Sequence, residues 1–166
     1  MPLNLELKIQ LDSHDSALNV LKKLHAEFVK DINQKDVYYS TQGCLLKLRI
    51  EDEGESLIKY NRDEVNPDRF SDFDVIYLKS SGSEKVFNSI FTVEAVVIKK
   101  RSLYLYNNTR IHLDTVQGLG TFMEFETLVI NGMDDAKERF NFLIKKFEID
   151  TANQIKCSYR DLILNK

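Results

Sequence analysis

Leu3, Leu5, Leu7, Ile9 and Leu11 alternate with Asn4, Glu6, Lys8 and Gln10 at the start of the chain. Apolar residues at every second position can be buried together only on an extended backbone, so this segment is committed to a strand with one apolar and one polar face. The same arrangement recurs along the chain with charge on the polar face. Lys47 and Arg49 stand between Leu46, Leu48 and Ile50, and Arg62 follows Ile58 and Tyr60. Lys99 precedes Arg101 by two, Arg110, His112 and Asp114 are spaced by two, and Glu124 and Glu126 follow Phe122. Residues two apart on a strand point the same way, so each set shares a face.

Between these strands lie other signals. Asp12 or Ser13 can cap a helix in which Leu18, Leu21, Leu24 and Phe28 recur at three- and four-residue steps, ending near Ile32. Strands are expected over about 36–40, 44–51, 56–63 and 73–79, then about 93–106, 109–116 and 121–130. Asn107-Asn108 suits a tight hairpin turn between two of them. A short helix near 83–91, one starting at Asp134 or Asp135 with Phe140, Leu143, Ile144 and Phe147, and a helical piece between about 151 and 164 complete the chain. Eight strands joined mostly by hairpins predict an α+β fold, an antiparallel, barrel-like closed sheet with helices packed outside. Only Pro2 and Pro67 are proline and no linker interrupts the 166 residues, so one domain, 1–166, is expected.

Composition narrows the partners. A net charge of −3 gives no general basic field for nucleic acid or a membrane surface, so an anion site must be local. No apolar leader and no membrane-length apolar run is present, and Cys44 and Cys157 are isolated, as in a reducing cytoplasm. Neither cysteine has the spacing of a zinc ligand.

One strand with charge at alternate positions is ordinarily a solvated outer face. Here the charges are also sorted by sign. Lys47, Arg49, Lys99 and Arg101 are basic, whereas Glu6, Asp114, Glu124 and Glu126 gather the acids, and a solubilising face mixes the two. The opposite faces carry the apolar residues that pack on helices, which turns the charged faces inward across a closed sheet. Converging Arg and Lys suit a multiply charged anion, since guanidinium matches phosphate oxygens two at a time. Carboxylates beside that anion require a hard cation between them, Mg²⁺ or Mn²⁺. The consistent occupant is a metal-bound polyphosphate.

The residues that carry this reading resemble those of the CYTH or triphosphate tunnel metalloenzyme family. The resemblance rests on Asn4-Leu5-Glu6-Leu7-Lys8, Asp36-Val37-Tyr38-Tyr39, Leu46-Lys47-Leu48-Arg49, Leu57-Ile58-Lys59-Tyr60-Asn61-Arg62 and Lys99-Lys100-Arg101. Its most specific part is Arg110-Ile111-His112-Leu113-Asp114 followed by Gly118-Leu119-Gly120-Thr121-Phe122-Met123-Glu124-Phe125-Glu126, and Ser158-Tyr159-Arg160-Asp161-Leu162 is similar to the family's ending. The class IV adenylyl cyclase branch is the most similar. The resemblance implies an eight-stranded antiparallel tunnel in which Lys8, Lys47, Arg49, Arg62, Lys99, Arg101 and Arg110 contact phosphates. It places Glu6, Asp114, Glu124 and Glu126 on the metal side, with Glu6, Lys8, Asp114 and Glu124 as the catalytic set. The substrate it implies is a triphosphate small molecule, ATP, thiamine triphosphate or tripolyphosphate, cyclised or hydrolysed.

Strand parity sends Lys59 and Lys100 to the surface and His112 inward, where a hydrogen-bonding and a catalytic role are both open. Tyr38 and Tyr39 are placed either to orient a nucleophile or to pack, and packing is the expectation. One position departs from the family's Glu-x-Glu-x-Lys signature: Asn4 stands where the first Glu is expected, keeping an oxygen and losing a charge. A non-catalytic polyphosphate or nucleotide-binding module is therefore the alternative. A single-strand nucleic-acid binder is disfavoured by the four carboxylates, and a homodimer is left open.

Overall fold

The computed structural model describes residues 4–62, 71–79 and 81–166. Its strands are β1 (Asn4–Leu11), β2 (Glu27–Tyr39), β3 (Leu45–Glu51), β4 (Gly54–Arg62), β5 (Ser71–Leu78), β6 (Val93–Tyr106), β7 (Thr109–Val116) and β8 (Gly120–Leu128). The helices are α1 (Asp15–Lys23), α2 (Ser83–Ile90), α3 (Met133–Lys146) and α4 (Tyr159–Leu164), with a 3₁₀ turn at Thr151–Asn153. The eight strands form one sheet in the order β1-β8-β7-β6-β2-β3-β4-β5, and the β1/β8, β7/β8, β2/β3, β3/β4 and β4/β5 ladders are antiparallel. The expected eight-stranded antiparallel sheet with helices is thus the fold. As a hydrogen-bonded order it runs from β1 to β5 among the described residues. The outer edge of β1 is taken by the chain itself, since the Ile155 N–H donates to Lys8 O at 2.8 Å and the Gln154 amide to Glu6 O at 3.3 Å. No helix among the described residues is long and apolar enough to cross a membrane.

The chain divides into two compact units, Met1–Asp31 with Arg101–Lys156, and Ile32–Lys100 with Cys157–Lys166. In the first, Leu7, Ile9, Ile111, Leu113, Met123 and Phe125 form the apolar face of β1, β7 and β8, buried against Ala17 and Leu21 of α1 and Leu143 of α3. In the second, Val37, Tyr39 and Leu48 form a smaller core flanked by Leu46, Ile50, Leu57, Leu78 and Phe87. Tyr39 packs on Phe87 and Phe91 and donates its hydroxyl to Asn88 Oδ1 at 2.9 Å. Burying both cores requires the strand periodicity to hold throughout, because a slip of one residue would exchange these side chains with the charged ones.

The first helix is shorter than its apolar spacing suggests. α1 ends at Lys23, and residues 27–32 belong to β2 rather than to a helix reaching Ile32. His25 adopts φ 52°, its N–H donates to Lys22 O at 3.1 Å, and Ala26 N–H reaches back to Leu21 O at 3.0 Å, a left-handed helix terminus. Phe28 follows Leu24 by four, a spacing that helical and strand periods share, and its ring meets Tyr104 edge-on at 5.3 Å. The helix start also differs: His14 is the N-cap without a side-chain capping bond, its Nε2 lying 3.1 Å from Phe122 O instead, and Ser13 Oγ accepts from Asp15 N–H at 3.3 Å. Asn107 and Asn108 both lie in the left-handed region, φ 43° and 58°, as a two-residue hairpin turn requires.

Candidate functional site

The charged faces are buried. Lys8 and Arg101 are each 8 % exposed, Lys99 6 %, His112 4 % and Asp114 0 %. Lys and Arg are rarely removed from water to this degree, so a solvated outer face is excluded for these strands.

In the first unit the register sorts the polar side chains into rows. Glu6 stands opposite Glu126 and Lys8 opposite Glu124 in the β1/β8 ladder. Across β7/β8, Arg110 pairs with Glu126 and His112 with Glu124. Arg101 donates from Nε to Asp114 Oδ1 at 2.7 Å and from Nη2 to Asp114 Oδ2 at 2.7 Å, and Nη2 also reaches Glu124 Oε2 at 2.8 Å. Asp114 therefore spends both oxygens on a guanidinium. Arg110, more exposed than the others, has its Nε 3.2 Å from Glu126 Oε2. Burial would raise the Glu124 carboxyl, but the Lys8 charge, the facing His112 imidazole and the Arg101 charge more than offset it and hold Glu124 well below the ordinary carboxylate range.

Beside this pair lies a set with the chemistry of a cation site. His112 Nδ1 is 3.8 Å from Glu124 Oε2 and 3.9 Å from Glu126 Oε1, and it is buried without a hydrogen-bond partner. Among the described residues these three side chains can bring one donor atom each within 4.8 Å of one another. An imidazole nitrogen facing two carboxylates offers the mixed nitrogen and oxygen donor set that a divalent cation accepts. The residues fit such an ion, with one nitrogen and two oxygens offered. Asn4 shares the Glu6 face by strand parity, and its Oδ1 is likewise buried without a partner.

The second unit holds the other basic group. Asp36 Oδ1 accepts from Arg49 Nε at 2.8 Å, and Asp36 Oδ2 from Arg49 Nη2 at 2.7 Å and Lys47 Nζ at 3.0 Å. Burial opposes the Asp36 charge, yet Lys47, Arg49 and Lys99 together drive its carboxyl far below the ordinary range. Lys47 Nζ also sits 5.4 Å from the Tyr38 ring and 5.7 Å from the Tyr60 ring. Burial, the Asp36 charge and Tyr60 raise the Tyr38 hydroxyl well above its ordinary value, so it stays protonated. Lys99 Nζ lies over the Tyr159 ring at 5.1 Å. Ser158 and Asp161 close a capping box that starts α4 at Tyr159, and Arg160 pairs with Glu94 at 2.6 Å.

Of the residues singled out in the sequence, Lys47, Arg49 and Lys99 meet around Asp36, and Lys8, Arg101, Asp114, Glu124, Glu126 and Arg110 meet in the first unit. Lys59 and Lys100 are exposed, as strand parity requires. Arg62 lies on β4, and its side chain is outside the described residues. Two participants were not assigned their roles from the sequence. The Asp36 motif was visible but its cross-strand partner was not, and His112 shows its ligand-like position only once Glu124 and Glu126 stand beside it.

The model of the CYTH domain matches residues 3–159. A candidate adenylate cyclase of Methanocaldococcus jannaschii is 29% identical over 173 aligned residues, 96% of this chain and 98% of that protein. The PH1012 protein from Pyrococcus horikoshii superposes with a TM-score of 0.82 at 19% identity, covering 98% of this chain and 99% of that one. A candidate adenylyl cyclase from Hippeastrum, described as having a dominant triphosphatase activity, gives 0.70 at 16% identity over 98% and 96% of the two chains. With the motifs that carried the resemblance now seen on adjoining strands and the match running through nearly every residue, the chain belongs to the CYTH domain family.

Proposed function

We propose that this chain is a metal-dependent enzyme acting on a triphosphate-containing small molecule: ATP, thiamine triphosphate or inorganic tripolyphosphate. The observation that carries this reading is the burial of Lys8, Lys99 and Arg101 on strand faces. Buried carboxylates hold these cations in place, and cations fixed in this way are preorganised to receive a dense anion such as the triphosphate tail common to these substrates. In this reading Lys8, Lys47, Arg49, Arg62, Lys99, Arg101 and Arg110 are the phosphate ligands, and Lys99 and Arg101 project from one face of β6. Glu6, Glu124 and Glu126 are the acidic groups of the metal side, with His112 added to them. Asp114 acts by holding Arg101. A bound Mg²⁺ or Mn²⁺ would supply charge neutralisation at the phosphate oxygens.

The residues themselves do the rest. Fixed guanidinium and ammonium groups meet the charge that develops on phosphorus-bound oxygens without having to reorganise. The named activities of the relatives, adenylate cyclase and triphosphatase, divide on which nucleophile attacks. A ribose hydroxyl attacking the α-phosphorus of ATP releases pyrophosphate, and water attacking the terminal group releases phosphate. Asn4 supports a second reading, a binding module, because an amide oxygen is a weaker ligand to a hard cation than a carboxylate.

Incubation of the purified protein with each of the three triphosphates and Mg²⁺ or Mn²⁺, with products separated by chromatography, tests these readings. Cyclic AMP with pyrophosphate selects the cyclase and free phosphate selects the hydrolase. Binding without turnover selects the module. Failure of all three compounds to bind, with and without metal, overturns the triphosphate assignment.

A further inference from the structure

Asp36 is the buried acid among the bases of the second unit, 2 % exposed. It sits directly across the β2/β3 ladder from Arg49, and the next pair on the same face is Tyr38 with Lys47. Both oxygens are engaged, by Arg49 Nε and Nη2 at 2.8 and 2.7 Å and by Lys47 Nζ at 3.0 Å. Two parallel bonds fix the plane of a guanidinium, so the heading of Arg49 Nη1 is set by Asp36 rather than by four freely turning side-chain bonds. Lys47 is fixed at three points, by Asp36 and by the Tyr38 and Tyr60 rings. From these contacts we infer that Asp36 is a positioning residue, a buried carboxylate that aims Arg49 and Lys47 at the triphosphate and keeps Lys47 charged. This rests on the function proposed above.

Three cations, Lys47, Arg49 and Lys99, act on the one carboxylate, so the group that Asp36 organises is a cluster of bases. Among the described contacts, Lys47 meets Asp36 and Tyr38 from β2 and Tyr60 from β4, and Arg49 of β3 and Lys99 of β6 act with it on Asp36. Among them Asp36 is the acid. Without its charge the bases repel one another, and the readiest relief is loss of a proton by a lysine. A purely structural carboxylate would not impose that dependence on ligand binding. A competitor for the bases would have the opposite effect, since its removal would tighten anion binding.

Titration calorimetry with inorganic tripolyphosphate on the full-length protein, between pH 6 and pH 9, separates these cases. Asp36→Asn is expected to bind about tenfold more weakly at pH 7, and to lose affinity at lower pH than the wild type as the solution becomes alkaline. Asp36→Glu is expected to recover most of both. Equal or tighter binding by Asp36→Asn, with an unshifted pH profile, overturns the inference and leaves the triphosphate reading standing. No binding by the wild type removes that reading, and the inference with it. A measurement on the wild type guards against a variant that fails to fold. The Arg49 Nε–H, followed by NMR, should remain slow to exchange when tripolyphosphate is added, and its release on binding would identify Asp36 as a competitor.

Discussion

Asp114→Asn separates the two jobs open to this residue, ligand of a cation or partner of Arg101. The carboxylate is fully buried and meets Arg101 through Nε and Nη2, both at 2.7 Å. Breaking a buried ion pair by removing one partner costs about 3–5 kcal/mol, because the surviving charge is left in a poorly solvating place. Arg101 keeps its 2.8 Å bond to Glu124, and asparagine retains one acceptor oxygen. The lower limit therefore applies, about 3 kcal/mol. In a protein of this size each kcal/mol lowers the midpoint by about 2–4 °C, which gives a fall of about 6–12 °C. The assay is thermal unfolding in a chelator, with Arg101→Met and the double variant completing a cycle, and the cycle should return a coupling of the same order. A metal ligand behaves oppositely. Removing one of several clustered carboxylates relieves repulsion in the metal-free protein, so an Asp114→Asn variant as stable as the wild type in chelator would refute the assignment to Arg101.

The candidate cation set makes a direct prediction: His112→Ala should weaken Mn²⁺ binding about tenfold or more by titration calorimetry, and Mg²⁺ binding less, since the lost donor is a nitrogen. Asn4→Glu should tighten Mn²⁺ binding, and unchanged affinity would mean that residue 4 is not at the metal site. Acid sensitivity follows from Asp36. Its folded carboxyl titrates below its unfolded value of about 3.9, so its stabilisation is complete above about pH 5 and is lost as the pH falls through the folded value. The urea midpoint of Asp36→Asn should accordingly fall less between pH 7 and pH 3 than that of the wild type. At the hairpin, Asn108→Val should cost about 1–2 kcal/mol in urea unfolding, because a β-branched residue resists the positive φ held there.

Much of the fold was legible because period-two alternation survives on most strands. β1, β3, β4, β6, β7 and β8 lie within a few residues of their expected places, and parity correctly sent Lys59 and Lys100 outward and His112 inward. The misreading of 27–32 as helix has a local cause. Leu24 and Phe28 satisfy both periods, and nothing in His25 announces a left-handed residue, because Gly is the usual signal for that conformation.

Sequence alone determined that acids and bases would occupy the same face as one another on their strands, since alternation depends only on the extended backbone and the burial of the other face. It determined the family as well, through the spacing of Arg110, His112, Asp114, Glu124 and Glu126. Which acid meets which base was decided only by tertiary structure. Register places Asp36 across from Arg49 and His112 across from Glu124 within single hairpins, and it brings Lys8 across from Glu124, which lies far along the chain. Asp114 shows the consequence. Its spacing alone groups it with the metal-side carboxylates, whereas the structure adds a guanidinium within 2.7 Å of both its oxygens.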